Sequence, residues 1–219
     1  MQPGRRPVRA DRRGAQPLSE AVVSAATKLL VVGASLGGLD AVPVVIRGLD
    51  AALDLAVVIV QHRSPDSNGQ LARILAQRSG REVEEAMDAA PLARGAVLLA
   101  PADYHLLVQE DRVKLSLDAS ERFARPSIDV LFHSAARAWG RRLAAALLTG
   151  SSDDGARGME AVWRAGGATF VEDPALAEAP TSPREALARI EPIHVGPPDS
   201  IGVEVNAWAK RPTPWRTHG

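Results

Sequence analysis

Short apolar runs, bounded by glycine or turn-forming residues, recur along most of the chain. The runs at 28–32, 53–60 and 142–150 lack polar alternation, which predicts strands buried on both faces. Two further strands are predicted at 168–173 and 192–195. Strands buried on both faces need helices on either side, so this pattern favours a layered α/β fold.

Apolar residues at helical spacing fill the segments between the strands. A helix is predicted from about Gly38, and a second within 64–80. The clearest pattern follows Ser127, a predicted N-cap, and is amphipathic up to Trp139. Another helix is predicted over 154–167, where two glycines end it.

Two local signals refine the predicted helices. Ser182 and Glu185 have the spacing of a capping box, so a helix is predicted to open at Ser182 and to run through 182–190. Pro43 is expected early in the first helix, where a missing backbone N–H is tolerated.

The order of elements predicts an α/β class with a doubly wound, mostly parallel sheet. The alternation breaks at 95–117, where three short apolar runs and the loop "QEDR" predict an antiparallel hairpin insertion. Residues 1–27 are rich in Arg, Pro and Gly and are expected to form a flexible basic arm. The folded domain is expected over 28–202, and a peripheral tail over 203–219.

Composition excludes several classes of function. The 219 residues suit one domain, and 26 basic against 26 acidic residues give no electrostatic reason to expect nucleic acid as a partner. With no cysteine, disulfides, thiolate metal sites and a cysteine nucleophile are excluded. The histidine spacing predicts no metal site, and no cofactor is expected. No apolar run approaches the roughly 20 residues of a membrane span, so a cytoplasmic location without membrane insertion is expected.

The loop "GASLGG" after the first strand fits two kinds of site. Its G-x-S-x-G pattern would make Ser35 the nucleophile of an elbow. Its G-x-S-x-x-G pattern resembles a dinucleotide fingerprint that lacks the middle glycine. A dinucleotide site needs an acidic residue after the second strand, whereas Gln61 and His62 stand there, so the nucleotide hypothesis is disfavoured.

Three predicted strands end in the groups that nucleophilic acyl transfer requires. Ser35 follows the first strand, His62 the second, and the acidic pair Asp153 and Asp154 the third. Each has a simpler structural explanation: a helix cap for the serine, a backbone contact for the histidine, and a helix start for the carboxylates. Because a hydroxyl, an imidazole and a carboxylate coincide at one sheet edge, a catalytic triad is the favoured hypothesis.

The chain resembles the catalytic domain of the CheB-type protein-glutamate methylesterases of bacterial chemotaxis. The resemblance covers about 28–202 and rests on five motifs in order: "VVGASLGGLDAV", "VVIVQHRSP", "VLLAPADYHLLV", "RPSIDVLFHSAA" and "LLTGSSDDGARGMEAVWRAGG". It implies an esterase that hydrolyses glutamate methyl esters on the cytoplasmic helices of methylated chemoreceptors, releasing methanol, and in many members also deamidates glutamine. By motif position it implies Ser35 as nucleophile, His62 as base and Asp154 as the orienting carboxylate.

Two departures from the family pattern lie beside the implied site. Leu36 replaces a usual threonine and Ser151 a usual methionine; with Gly37 they are expected to border the oxyanion site. Backbone donors survive both changes, so altered substrate fit or rate is expected rather than loss of the triad. The alternative is a catalytically impaired relative that acts as a receptor-binding or signalling adaptor.

The regulated members of the family carry a receiver domain before the esterase. Residues 1–27 are too few for one, so regulation by an attached receiver is not expected. Arg63, beside the implied base, is expected to be a solvated surface arginine, with contact to an acidic receptor surface as the alternative.

Overall fold

The computed structural model describes residues 25–64 and 69–212, so the predictions for 1–24 and 213–219 lie outside the described residues. The strands are β1 Lys28–Ala34, β2 Leu55–Gln61, β3 Glu84–Glu85, β4 Val97–Leu99, β5 His105–Gln109, β6 Arg112–Ser116, β7 Leu143–Leu147, β8 Ala168–Glu172 and β9 His194–Gly196. The helices are α1 Gly38–Gly48, α2 Leu71–Ser79, α3 Ile128–Trp139, α4 Ala156–Arg164, α5 Thr181–Leu187 and α6 Pro198–Lys210.

Seven strands form a parallel sheet in the order β3-β4-β2-β1-β7-β8-β9, with helices on both faces. Successive β1 side chains point to opposite faces: Leu29 and Val31 join the core formed with α3 and α4, whereas Leu30 and Val32 join the core formed with α1, α2 and α6. The predicted doubly wound α/β class is confirmed. The strand order reverses between β1 and β7, which places the ligand-binding crevice of such a fold at their carboxyl ends.

The predicted hairpin is present, but it uses only two of the three apolar runs. β5 and β6 pair antiparallel, with Gln109 opposite Arg112 across the turn. The first run, β4, instead joins the parallel sheet, where it lies between β2 and the edge strand β3. Sequence analysis missed β3, because two glutamates give no apolar pattern.

The predicted capping box is wrong. α5 begins at Thr181 and Ser182 lies inside its first turn, where its side chain makes no capping bond to the helix. Ser182 N donates to Gly150 O (2.9 Å) and its Oγ donates to Ser152 O (2.6 Å). A tertiary contact with the loop after β7 therefore takes the hydroxyl that the sequence assigns to a local cap.

Pro43 is the sixth residue of α1, beyond the early part that the sequence predicts. Because proline has no N–H, the carbonyl of Leu39 lacks its usual helical donor. Arg78 Nη1 donates to that carbonyl at 2.9 Å, so a side chain from α2 satisfies it.

The boundary predicted at residue 202 falls inside α6, which extends to Lys210 and buries Val205. Lys28, itself buried, reaches the end of this helix: its Nζ donates to the carbonyls of Trp208 (3.1 Å), Ala209 (2.9 Å) and Arg211. Burial lowers the pKa of Lys28. The helix end is thus part of the fold, and the predicted tail starts too early.

Candidate active site

The carboxyl ends of β1 and β2 and the loop after β7 bring Ser35, His62 and Asp154 together. The Oγ of Ser35 lies 3.2 Å from Nδ1 of His62, and Nε2 of His62 lies 2.7 Å from Oδ2 of Asp154. The backbone fixes the first two residues against each other, since His62 N donates to Ala34 O at 3.0 Å. The structure therefore joins the three sequence-predicted residues in one hydrogen-bonded chain.

The buried carboxylate sets the tautomer of the histidine. Burial raises the pKa of Asp154, but hydrogen bonds from His62 and from the backbone of Asp129 and Ile128 lower it by more. The pKa is therefore below its usual value. An ionised carboxylate only accepts, so Nε2 of His62 carries the proton. Nδ1 is then free to accept the hydroxyl proton of Ser35, as a general base requires.

Asp154 is held at the start of α3 rather than by its own helix. Its Oδ1 accepts from Ser127 Oγ (2.9 Å) and Asp129 N (3.0 Å), and its Oδ2 accepts from Ile128 N (2.8 Å). Ser127 is the N-cap of α3, as predicted, with its Oγ accepting from Val130 N. The sequence gives no sign that the same hydroxyl also donates to Asp154.

Two charged neighbours of the triad have structural partners. Asp153 lies outside the triad and forms an ion pair with Arg122. Arg63 has a side chain only 6% exposed; it pairs with Glu85 (2.8 Å) and donates to Ala100 O (2.8 Å). The solvated side chain expected for Arg63 is therefore wrong, whereas its contact with an acidic receptor surface stays a prediction.

The residues expected at the oxyanion site surround the nucleophile. Leu36 is 55% exposed, Ser151 is exposed, and Gly37 has φ +85°, a conformation that favours glycine. A Cβ added at Gly150 would lie 3.0 Å from Ser35 Cβ, so the loop after β7 packs directly on the serine.

Several nearby amides are already occupied. The N–H of Ser35 donates to Thr149 O, that of Gly38 to Ser35 O, and that of Gly150 to Ala179 O. Among the described residues around the serine, the N–H groups of Leu36, Gly37 and Ser151 remain as candidate oxyanion donors.

Gln61 is a site residue whose role sequence reasoning missed. Its Nε2 donates to Ser35 O (2.7 Å) and His62 O (3.1 Å), so one buried amide ties together the loops of nucleophile and base. A Cβ at Gly38 would lie 2.0 Å from Gln61 Oε1, which explains glycine there. The available signal was a polar side chain at the end of an otherwise apolar strand.

Two clefts flank His62. One, of about 370 Å³, is lined by His62, Arg63, Asp103, Phe123 and Arg125 among others. The second, of about 230 Å³, has a mainly apolar lining: Leu39, Leu71 and Ile74 face it beside Gln61 and His62. His62 therefore borders one cleft with a mainly apolar lining and another with a mixed lining.

Phe123 in the larger cleft is fully exposed at the tip of a tight turn. Glu121 and Ala124 exchange backbone hydrogen bonds across this turn, and both central residues, Arg122 (φ 50°) and Phe123 (φ 65°), have positive φ. That backbone is uncommon outside glycine, asparagine and aspartate.

Known proteins share this arrangement of elements. Residues 30–205 match the family model described as CheB methylesterase. The crystal structure of the Thermotoga maritima CheB methylesterase catalytic domain superposes with a TM-score of 0.78 at 28% identity, covering 83% of this chain and 98% of that one.

Relatives are found among curated proteins too. A Leptospira interrogans protein named putative protein-glutamate methylesterase/protein-glutamine glutaminase is 36% identical over 159 residues, 72% of this chain and 82% of its own length. A Pseudomonas aeruginosa protein-glutamate methylesterase/protein-glutamine glutaminase 2 is 40% identical over 177 residues, 79% of this chain but 50% of its own length. In the described ranges, none of the helices combines the length and hydropathy of a bilayer-spanning segment.

Proposed function

Since this chain belongs to the CheB methylesterase family, a family of carboxylic ester hydrolases, we propose that it hydrolyses glutamate methyl esters on methyl-accepting chemoreceptors. The observation that carries the proposal is the chain of hydrogen bonds from Ser35 through His62 to a buried, ionised Asp154. A serine hydroxyl is a weak nucleophile unless a base takes its proton. Here His62 is the base and Asp154 is the group that orients it.

The proposed reaction begins when Nδ1 of His62 takes the Ser35 proton and Oγ attacks the ester carbonyl. Backbone N–H groups of the loops around Leu36 and Ser151 stabilise the oxyanion. Asp154 stabilises the imidazolium while the proton passes to the leaving methanol. Water then attacks the acyl-enzyme in the same way and restores Ser35.

The same steps with a glutamine side chain would release ammonia instead of methanol. The relatives from Leptospira and Pseudomonas carry glutaminase in their names, which supports deamidation as a second activity of the proposed site.

The test compares methanol release from methylated chemoreceptor by the wild type and by Ser35→Ala, with fluorophosphonate labelling alongside. We expect release and stoichiometric labelling that both depend on Ser35. Ser200→Ala is the matched control, because Ser200 Oγ also contacts a histidine, His194, at 2.8 Å but lies outside the site. Receptor binding without methanol release would instead support the adaptor.

A further inference from the structure

Asp129 is a buried carboxylate beside the triad to which the proposed mechanism gives no step. It is the second residue of α3 and is 1% exposed. Its Oδ1 accepts from Gly155 N (2.9 Å) and Gly158 N (2.7 Å) at the first turn of α4. Asp129 thus satisfies amides that an isolated α4 would leave without partners.

Asp154 makes the reciprocal contact, from the start of α4 to the amides of α3. It directly precedes the N-cap of α4, and its carboxylate accepts from Ile128 N and Asp129 N at the first turn of α3. Each of the two helices therefore carries, at its start, the carboxylate that binds the amides of the other. Negative charge at a helix N-terminus is favourable, so each contact stabilises the other helix.

The two helix starts are also in close steric contact. A Cβ at Gly158 would lie 2.5 Å from Phe132 Cβ, and one at Gly155 would lie 2.7 Å from Ile128 Cγ2. Because the interior is close-packed, the segment that carries Asp154 has one position relative to α3 while these bonds persist.

Capping α4 with the buried carboxylate of Asp129 costs free energy. Its Oδ2 has no hydrogen-bond partner among the described residues, the nearest cation being Arg122 with Nε at 4.0 Å. Burying a carboxylate with an oxygen unpaired costs free energy, and burial raises the pKa of Asp129. A serine or threonine would cap the helix without that cost.

We infer that Asp129 is a positioning residue for Asp154: by holding the start of α4 against α3, it fixes the carboxylate that orients His62. It touches neither Ser35 nor a substrate and acts only through Asp154. The inference rests on the proposed serine nucleophile but not on the identity of the ester.

The test measures fluorophosphonate labelling, whose rate constant reports activation of Ser35 and whose stoichiometry reports the folded fraction. Asp129→Ala is expected to slow labelling about 100-fold, the effect of an ångström-scale misplacement, at full stoichiometry. Asp129→Asn keeps an acceptor oxygen and should label within about threefold of the wild-type rate constant.

Lys28→Met is the control for a merely structural role. Lys28 is buried and binds a helix terminus, as Asp129 does, but it lies at the opposite end of β1. We expect this variant to lower Tm and to leave the labelling rate constant unchanged.

Three results separate the explanations. Asp129→Ala labelling at the wild-type rate constant, or losing stoichiometry alone, would overturn the positioning role. If Asp129→Ala does not fold, Asp129→Glu, which keeps the charge but displaces the oxygens by a methylene, must slow labelling for the inference to survive. A wild type that does not label at all would instead contradict the proposed function.

Discussion

The two walls of the larger cleft beside His62 are built in different ways. The sheet wall is the side of the cleft formed by His62, which is hydrogen-bonded to Ser35 and to Asp154; the carboxylate of Asp154 is completely buried and fully hydrogen-bonded. The outer wall is the irregular segment 117–126, with fully exposed Phe123 on a turn of positive φ.

The difference indicates that the two walls have different functions. The sheet wall takes its geometry from the core, so a small displacement there would disturb the reacting groups. The outer wall keeps two residues in sparsely populated backbone regions, each at a cost of about 1–3 kcal/mol. An exposed aromatic on such a turn suits substrate contact rather than chemistry, and the two functions should therefore separate under mutation.

The largest effect should come from Asp154→Asn. The amide keeps the shape of the side chain but donates where the carboxylate accepts, so His62 is held in the wrong tautomer and kcat should fall about 10⁴-fold. Hydrolysis of a small activated ester such as p-nitrophenyl acetate measures this loss, with Asp153→Asn as the control. A loss of activity in Asp153→Asn with activity retained in Asp154→Asn would mean that the wrong carboxylate has been assigned to the triad.

Gln61→Ala should cause the second-largest loss of activity. It removes the amide that binds Ser35 O and His62 O, so both loops lose a shared restraint and kcat should fall about 10- to 100-fold for small and protein substrates alike. Single-turnover kinetics with both substrates measures the change. A loss confined to the protein substrate would place Gln61 in recognition instead.

Phe123→Ala should have a smaller and selective effect. Partial burial of the ring against a protein substrate contributes about 1.4 kcal/mol, so KM for methylated receptor should rise about tenfold while small-ester hydrolysis is unchanged. Val203→Ala, an exposed apolar residue on α6, is the matched control. If small-ester hydrolysis falls equally, the two walls are not functionally separable.

The smallest effect concerns stability. Glu172 at the end of β8 is buried and accepts from Thr149 N, and burial raises its pKa above 4.5. The unfolded chain therefore ionises first as pH rises, so this group reduces stability from about pH 4.5 upward through its folded pKa.

Glu172→Gln keeps the acceptor and cannot ionise. It should raise Tm by about 2 °C at pH 7 and leave it unchanged at pH 4. Thermal melts at both pH values measure the difference. A lower Tm at pH 7 would show that the ionised carboxylate stabilises the end of β8.

Local patterns were sufficient for the elements that carry the triad. Unbroken apolar runs predicted β1, β2 and β7, and the polar residues that follow them include Ser35, His62 and the pair Asp153 and Asp154, from which the family resemblance selects Asp154. Prediction failed where a distant contact overrides a local preference. Ser182 has the spacing of a cap but donates to Ser152 O, and Arg63 looks solvated in sequence but pairs with Glu85.

The sequence by itself determined the fold class and placed a serine, a histidine and a pair of aspartates at the sheet edge, because both follow from periodicity and from where strands end. Only the tertiary structure decided which carboxylate meets His62. It also decided that Asp129 accepts hydrogen bonds from the start of α4 and Asp154 from the start of α3. Residues 129 and 154 are 25 positions apart, and nothing in either local pattern specifies the other. Their pairing depends on how α3 and α4 pack on the sheet, which is set by side-chain shape across the whole core.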